Sequence, residues 1–358
     1  MSATPEISVV VATYCRAETL RETLAHLAAQ SIAPERYEVI VVDDGSPDHT
    51  RSVVEEAQGR CRFALRYLHH ANRGPGYTQN EGVRVARAPL VLLIPDDIFL
   101  DREALEAHLE AHARDPSPGL AVLGRVLQSP KLKQSVFLAK WDPWHIGNLP
   151  DGVELPYHMF WACHMSVVRE FMLEHGMFNE EKGRGSYAAH EDVELGYRMH
   201  QHGMRVVFCR RALGHHYHVD TLERELKRSY GRGVNFVDLR RRIPHAEMDI
   251  TYRAYDLGTL VALRHELAGP RRPYLFEPDR SMVRLVLRYF LRIALFNRAT
   301  VRFAWLPFLD AAERSPLLAR LVHENMYRGL IVHQFLRGYH DARREDRALA
   351  RSRAAEGG

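Results

Sequence analysis

Three apolar runs in the first hundred residues each end in polar groups: Ile7 to Thr13, Val39 to Asp44 and Leu90 to Asp97. Aliphatic runs this dense, rich in β-branched residues, read as strands buried on both faces, the habit of parallel sheets. Between them the spacing changes to three and four. Leu20, Leu24 and Leu27 share one face of a helix over 16–30. Val53, Val54 and Ala57 share one face of a helix opened by Ser46-Pro47, a cap followed by a helix-starting proline. A strand over 63–68 and a short helix over 77–88, stopped by Pro89, complete the alternation. The pattern predicts an open α/β sheet, whose ligands bind outside the carboxyl ends of its strands.

Further on, Leu105 and Leu109 mark a helix over 100–113, Asp115-Pro-Ser-Pro-Gly119 breaks it, and 120–127 reads as a strand. Residues 128–160 have no period and carry Trp141, Trp144, Pro143, Pro150 and Pro156. A long excursion of this kind is either a functional loop or a packed one, and both readings stand equally. The tryptophans, with Trp161, stack on an acceptor in the first reading and fill core in the second. Residues 160–168 return to the sheet edge, 192–202 form a helix ended by Gly203, and 205–209 form a short strand.

From Leu222 the chain turns helical and arginine-rich, so the expected organisation is 1–219, a helical region over 220–340, and a disordered charged tail over 341–358. Within the helical region, Arg284, Arg288 and Arg292 form one stripe among aliphatic residues over 281–298. The functional reading is an interfacial helix on anionic lipid. The bland one is a helix buried against its neighbours, and the many arginines of this half favour it. No apolar run reaches the roughly 18–20 residues of a spanning helix.

Composition narrows the class. The 358 residues are 46% apolar and 26% charged, a globular balance, and the net charge of +4 does not mark a nucleic-acid binder. Cys15, Cys61, Cys163 and Cys209 are too dispersed for a disulfide framework or a zinc pattern. The first dozen residues lack the features of a secretory signal. A cytoplasmic protein is expected, with peripheral contact at the inner membrane face if the arginine helix is interfacial.

The chemistry gathers at the run ends. Asp43 and Asp44 have no basic neighbour in sequence, and such carboxylates need donors, a ligand or a metal. One suits the imide of uracil or the amino groups of guanine and the other a ribose hydroxyl, unless Asp44-Gly45-Ser46 is only a tight turn. Asp96 and Asp97 repeat the motif and could hold a divalent cation, and through it a diphosphate. Glu191 and Asp192 precede a helix, as a general base or as a plain cap. His215, His216 and His218 offer nitrogen ligands, with His215 expected to face solvent.

Taken in order, Val9-Val-Val-Ala-Thr-Tyr-Cys-Arg16, Val42-Asp-Asp-Gly-Ser46, Asn72-Arg-Gly-Pro-Gly76 with Asn80, Asp96-Asp97, and Glu191-Asp192 followed by Gly203 resemble the family 2 glycosyltransferases. The resemblance covers about residues 5–218 and implies a GT-A nucleotide-sugar domain over 1–219 with a mostly α-helical extension. It implies Thr13 and Arg16 around the nucleotide, Asp44 with Asp43 on base and ribose, and Asn72 to Gly76, including Gly74, along the donor, with Asn80 steadying that loop. Where the family usually has Asp-x-Asp, this chain has Pro95-Asp96-Asp97. Asp97 then stands as the ligand of manganese or magnesium, Asp96 as a ribose or outer ligand, and His216, or His218, as the histidine holding metal or diphosphate. The implied reaction is an inverting transfer from a nucleotide-diphosphate sugar, UDP favoured and GDP or dTDP the alternatives, to a hydroxyl acceptor, with Asp192, backed by Glu191, as base. The competing classes are a nucleotidyltransferase of related fold and a non-catalytic sugar-nucleotide scaffold. Against the first, Thr13-Tyr-Cys-Arg16 offers one arginine and no glycine where a glycine-rich basic loop is required.

Overall fold

The structure, a computed structural model, describes residues 4–141, 149–181, 189–243 and 281–356. Two compact units emerge. The first holds the described residues up to Leu132, those within 144–182, and Glu191–Val219; the second holds those within 133–143 and 183–190 and from Asp220 on.

The first unit is built on one sheet. Its parallel centre is β1 (Ile7–Thr13) flanked by β2 (Tyr37–Asp43) and β4 (Leu90–Pro95), with β3 (Ala64–His69) outside β2. Every residue of β2 is buried, Glu38 included. That carboxylate is satisfied by the Ser8 hydroxyl at 2.7 Å and by the Arg87 backbone N–H and Nε at 2.7 and 2.9 Å. Helix α1 (Ala17–Ala28) buries Leu20, Leu24 and Leu27, and α2 (Thr50–Gln58) buries Val53 and Val54, as their spacing predicts. Helix α3 (Pro75–Val85) packs so closely on β1 that a Cβ on Gly82 would overlap the methyls of Val10.

Beyond β4 the sheet departs from the simple alternation. A turn at Asp96-Asp97 leads into β5 (Ile98–Leu100), which the sequence pattern did not separate from the following helix α4 (Ala104–Arg114). Strand β6 (Leu120–Gln128) runs parallel to a twelve-residue strand at Arg205–His216. That strand extends well past Cys209, where the sequence reading ended it. The register slips at Gly124/Arg125, and Arg210 and Arg211 bulge to solvent, interrupting the apolar period.

The 128–160 excursion contains helix α5 (Val136–Lys140), which belongs to the second unit, and the two-residue strand β7 (Glu154–Leu155), paired to the long strand. Trp141 packs at the edge of an apolar cluster of the second unit; Pro143 and Trp144 lie outside the described residues. Strand β8 (Met165–Val168) is not at the sheet edge as expected but antiparallel between β4 and β6. Ser166 can be interior because its hydroxyl is bonded by His108 at 2.8 Å and His112 at 2.9 Å. Helix α6 (Arg169–His175) follows, then α7 (Glu191–Gln201) and the long strand, β9.

The second unit is helical: α8 (Leu222–Arg242), α9 (Met282–Leu295), α10 (Leu306–Arg314) and α11 (Glu324–Glu356). Helix α8 starts at Leu222, where its pattern predicts, and is capped by the Thr221 hydroxyl. Gly233 on α8 and Gly338 on α11 face the partner backbone, where any Cβ would collide. Helix α11 continues through the stretch from Asp341 that charge marked as disordered; alanine, arginine and glutamate are also good helix formers. Among the described residues no helix is long and apolar enough to cross a membrane.

Gly82→Ala tests the α3–β1 contact. Alanine gains about 1 kcal/mol of helix propensity, but the overlap with a buried, rotamer-locked valine costs about 1–3 kcal/mol. Chemical denaturation should show a net loss of stability, whereas an exposed helical glycine would show a gain.

Candidate functional site

Strand register brings the polar run ends together. Thr13 lies opposite Asp43 in the β1–β2 ladder, and Ala12 lies opposite Pro95 in the β1–β4 ladder. The pairs Asp43-Asp44 and Asp96-Asp97 therefore emerge on either side of Thr13, and all four carboxylates are buried. Buried carboxylates need donors. Asp43 finds the Tyr67 hydroxyl of β3 at 2.6 Å and the Ser46 backbone N–H at 2.8 Å, so one oxygen serves the neighbouring strand and the other the turn.

Asp44 closes the next loop. It accepts from the Asn72 side chain at 3.0 Å and from the backbone N–H groups of Arg73 and Gly74 at 2.7 and 3.0 Å. His70 approaches the same carboxylate at 3.5 Å. Gly45 makes the close turn possible, with φ of +82° and the Asn72 backbone where a Cβ would stand. Gly74, at φ +95°, has open space on its Cβ side. Asn80 steadies another segment than the one expected. Its side chain bonds Phe178 through both its carbonyl and amide groups at 2.9 Å and reaches Glu180 at 3.0 Å. It bears on the 72–76 loop only through Gly76, which abuts Phe178 and Asn179.

The second acidic pair meets the histidines. Ile98 pairs with His216, and the Tyr217 N–H bonds the Asp97 carbonyl at 2.8 Å, so β5 delivers Asp97 to the end of β9. Asp97 Oδ2 lies 3.5 Å from His216 Nε2 and 3.3 Å from His218 Nδ1, and the two imidazoles stack at 5.4 Å. Arg16 bridges the group, bonding Asp97, Asp96 at 3.2 Å and His218 at 2.9 Å. Thr13 donates to Asp96 at 2.6 Å. Burial pushes the Asp96 carboxyl up to about 6, against the pull of Arg16. Burial would raise Asp97 too, but bonds from His216 and His218 and the charges of His216 and Arg16 hold it below the usual carboxylate range. His215 stands apart, 3.2 Å from Asp101 instead of facing open solvent.

This cluster fits a divalent cation. One ligand atom from each of Asp97, His216 and His218 lies within 4.8 Å of the others, and Asp97 Oδ1 is buried without a hydrogen-bond partner. One carboxylate and two imidazoles offer the mixed oxygen and nitrogen donors that a divalent transition-metal cation accepts. Asp96 accepts from Thr13 and from Arg16, whose guanidinium also bonds Asp97 and His218.

Glu191 and Asp192 open α7, where the positive helix end favours their charge. Asp192 Oδ1 accepts from the Val193 N–H at 2.8 Å. Burial, and then the neighbouring Glu191, raise the Asp192 carboxyl well above the usual aspartate range; burial raises Glu191 as well. Burial raises the Cys163 thiol first, and the charges of Asp192 and Asp97 raise it further. Its dispersed position gave the sequence reading no signal. Tyr67 was legible in principle, because its hydroxyl reaches Asp43, the partner strand's last residue.

Comparisons with known proteins bear on this site. Residues 8–171 match the family described as Glycosyl transferase family 2. A validoxylamine A glucosyltransferase from Streptomyces hygroscopicus subsp. limoneus is 30% identical over 239 residues, 60% of this chain and 52% of that protein. A chondroitin synthase from Escherichia coli is 24% identical over 271 residues, 67% of this chain and 38% of that protein. The chain thus spans about half the length, or less, of these curated relatives. A mannosyltransferase from Pyrobaculum calidifontis, solved with GDP-Man and Mn2+, shares a TM-score of 0.54 at 17% identity, covering 92% of this chain and 86% of that one. At that identity the likeness shows the fold, which is GT-A.

The cation cluster yields opposite expectations for two of its members. Asp97→Asn should weaken Mn2+ binding, read by calorimetry, by more than the roughly 10–100-fold typical of outer-shell losses, with the circular dichroism spectrum unchanged. Arg16→Gln should tighten Mn2+ binding in the absence of nucleotide, because the guanidinium competes for the same oxygens. Equal Mn2+ affinity in wild type and Asp97→Asn would remove Asp97 from the ligand set.

Proposed function

Since the chain belongs, over residues 8–171, to glycosyl transferase family 2, we propose that it transfers a sugar from a nucleoside-diphosphate donor to an acceptor hydroxyl with inversion at the anomeric carbon. The observation that carries this reading is the acid–histidine cluster of Asp97, His216 and His218, in the same unit as a half-buried, raised carboxylate at Asp192.

Asp192 takes the proton. A carboxylate whose pKa is raised toward neutrality is a better base than an exposed one and still ionises at working pH. As the acceptor oxygen bonds to the anomeric carbon, its proton passes to Asp192, the bond from that carbon to the diphosphate oxygen breaks, and the electron pair leaves with the diphosphate. Glu191 raises Asp192 by its charge. A divalent cation on Asp97, His216 and His218, Mn2+ or Mg2+, would offset charge on the departing diphosphate. Asp44 shapes the 72–74 loop along the donor, and Thr13 and Asp96 form the floor between the two acidic turns. A UDP-sugar is the donor we favour, with GDP- and dTDP-sugars as alternatives. A screen of nucleotide-sugar hydrolysis with and without Mn2+ identifies it.

Asp192→Asn should slow transfer by about 10²–10⁴ while leaving donor affinity nearly unchanged. The same variant should melt at a higher temperature at neutral pH. The folded state raises this carboxyl above its unfolded value, so its ionisation costs stability as pH rises through that window, and asparagine removes the cost. The acid limb of the wild-type pH–rate profile should likewise lie above the usual carboxylate range. Near-normal transfer by Asp192→Asn, or a product retaining the donor's anomeric configuration, would refute the assignment.

A further inference from the structure

Apolar exposure in this protein is concentrated. Of the thirteen exposed large hydrophobic residues among the described ones, nine lie between Val283 and Leu321. The concentration is greatest on α9, where Leu285 alone is buried while Val283, Leu287, Phe290 and Leu291 stand 54–69% exposed. At 100° per residue these four fall within one face about 100° wide, and Leu285 points the opposite way. The buried-neighbour reading of this helix therefore does not hold for its wide apolar face.

Charge says what covers that face. From Ser281 through Leu309 there is no aspartate or glutamate, and Arg284, Arg288, Arg292, Arg298 and Arg302 supply five positive charges. Arg284 and Arg288 each follow an exposed apolar residue and are themselves exposed, so they border the apolar face. Arg292 leans over the Tyr289 ring at 5.4 Å. A second copy of this surface would bring the same five charges into contact, which opposes self-association. A bilayer with anionic headgroups satisfies both features, acyl chains taking the aliphatic face and headgroups the guanidinium groups. Fourteen residues rise about 21 Å, less than the roughly 30 Å hydrocarbon core, so the helix would lie along the interface and not cross it.

We infer that α9 is an interfacial helix that docks this chain on anionic membranes, with Val283, Leu287, Phe290 and Leu291 inserted and Arg284 and Arg288 at the headgroups. This docking is independent of the transfer chemistry, since it uses no residue of the site.

The test is sedimentation of the full chain with phosphatidylcholine vesicles, with and without phosphatidylglycerol. Binding should require phosphatidylglycerol and weaken as salt rises. It should fall about fivefold for each of Arg284→Gln and Arg288→Gln. Leu287→Ser with Leu291→Ser should abolish it at low salt, with the circular dichroism spectrum and sugar transfer to a soluble acceptor unchanged. No phosphatidylglycerol-dependent binding at low salt would overturn the inference. So would binding insensitive to the leucine pair, or a dimer, seen by ultracentrifugation, that the leucine pair dissociates.

Discussion

The parallel pairing of β1 with both β2 and β4 is the constraint on which the first unit depends. A strand flanked on both edges and covered on both faces admits a polar side chain only where it is bonded, as Ser8 is to Glu38, so most polarity is displaced to its carboxyl end. Because the three strands run the same way and in close register, their ends coincide. Thr13, Asp43, Asp44, Asp96 and Asp97 are neighbours for that reason, although they come from segments 30 to 84 residues apart.

Gathering four carboxylates there sets a second problem, since each must be neutralised or satisfied. Asp43 is spent on Tyr67 and a turn, and Asp44 on the 72–74 loop. These two are architecture as much as site: they hold the loops that shape the cleft. Asp96 is caught between Thr13 and Arg16 and raised by its burial. Asp97 alone retains a buried oxygen without a partner. The least satisfied acid is the one that meets two imidazoles, and a cation would complete it. Asp192 shows the same economy from another direction, since its desolvation costs stability and improves it as a base.

The second unit solves its packing by close approach. Gly233 and Gly338 let α8 and α11 meet backbone to backbone, and the Ser229 hydroxyl bonds the Ile331 carbonyl at 2.8 Å across the contact. Phe236 meets Phe335 and Tyr339 edge to face in the same seam. Where that closeness ends, α9 turns its aliphatic face outward beside its arginines. Among the described residues, the first unit hides nearly all its large apolar side chains, and the second leaves a cationic, apolar face exposed.

Much of this was written locally. The β-branched runs, the leucine spacing of α1, the start of α8 and the acidic pairs at strand ends all follow from side-chain preference over a few residues, which the sequence carries by itself. Other features depended on distant pairing. The short β5 was invisible because three residues have no period of their own; β9 supplies its partner. The true length of β9 was masked by a bulge, and the interior place of β8 by Ser166, which is tolerated only because two histidines from α4 reach it. The family resemblance put Asp97 and His216 or His218 on one cation, and the β5–β9 register is the pairing that brings both histidines to Asp97. It showed the arginine stripe on α9 but not which side faces out, since burial is a property of what else packs there. Local chemistry selects the element and its reactive end, while register and packing between distant segments decide which ends meet and which faces stay bare.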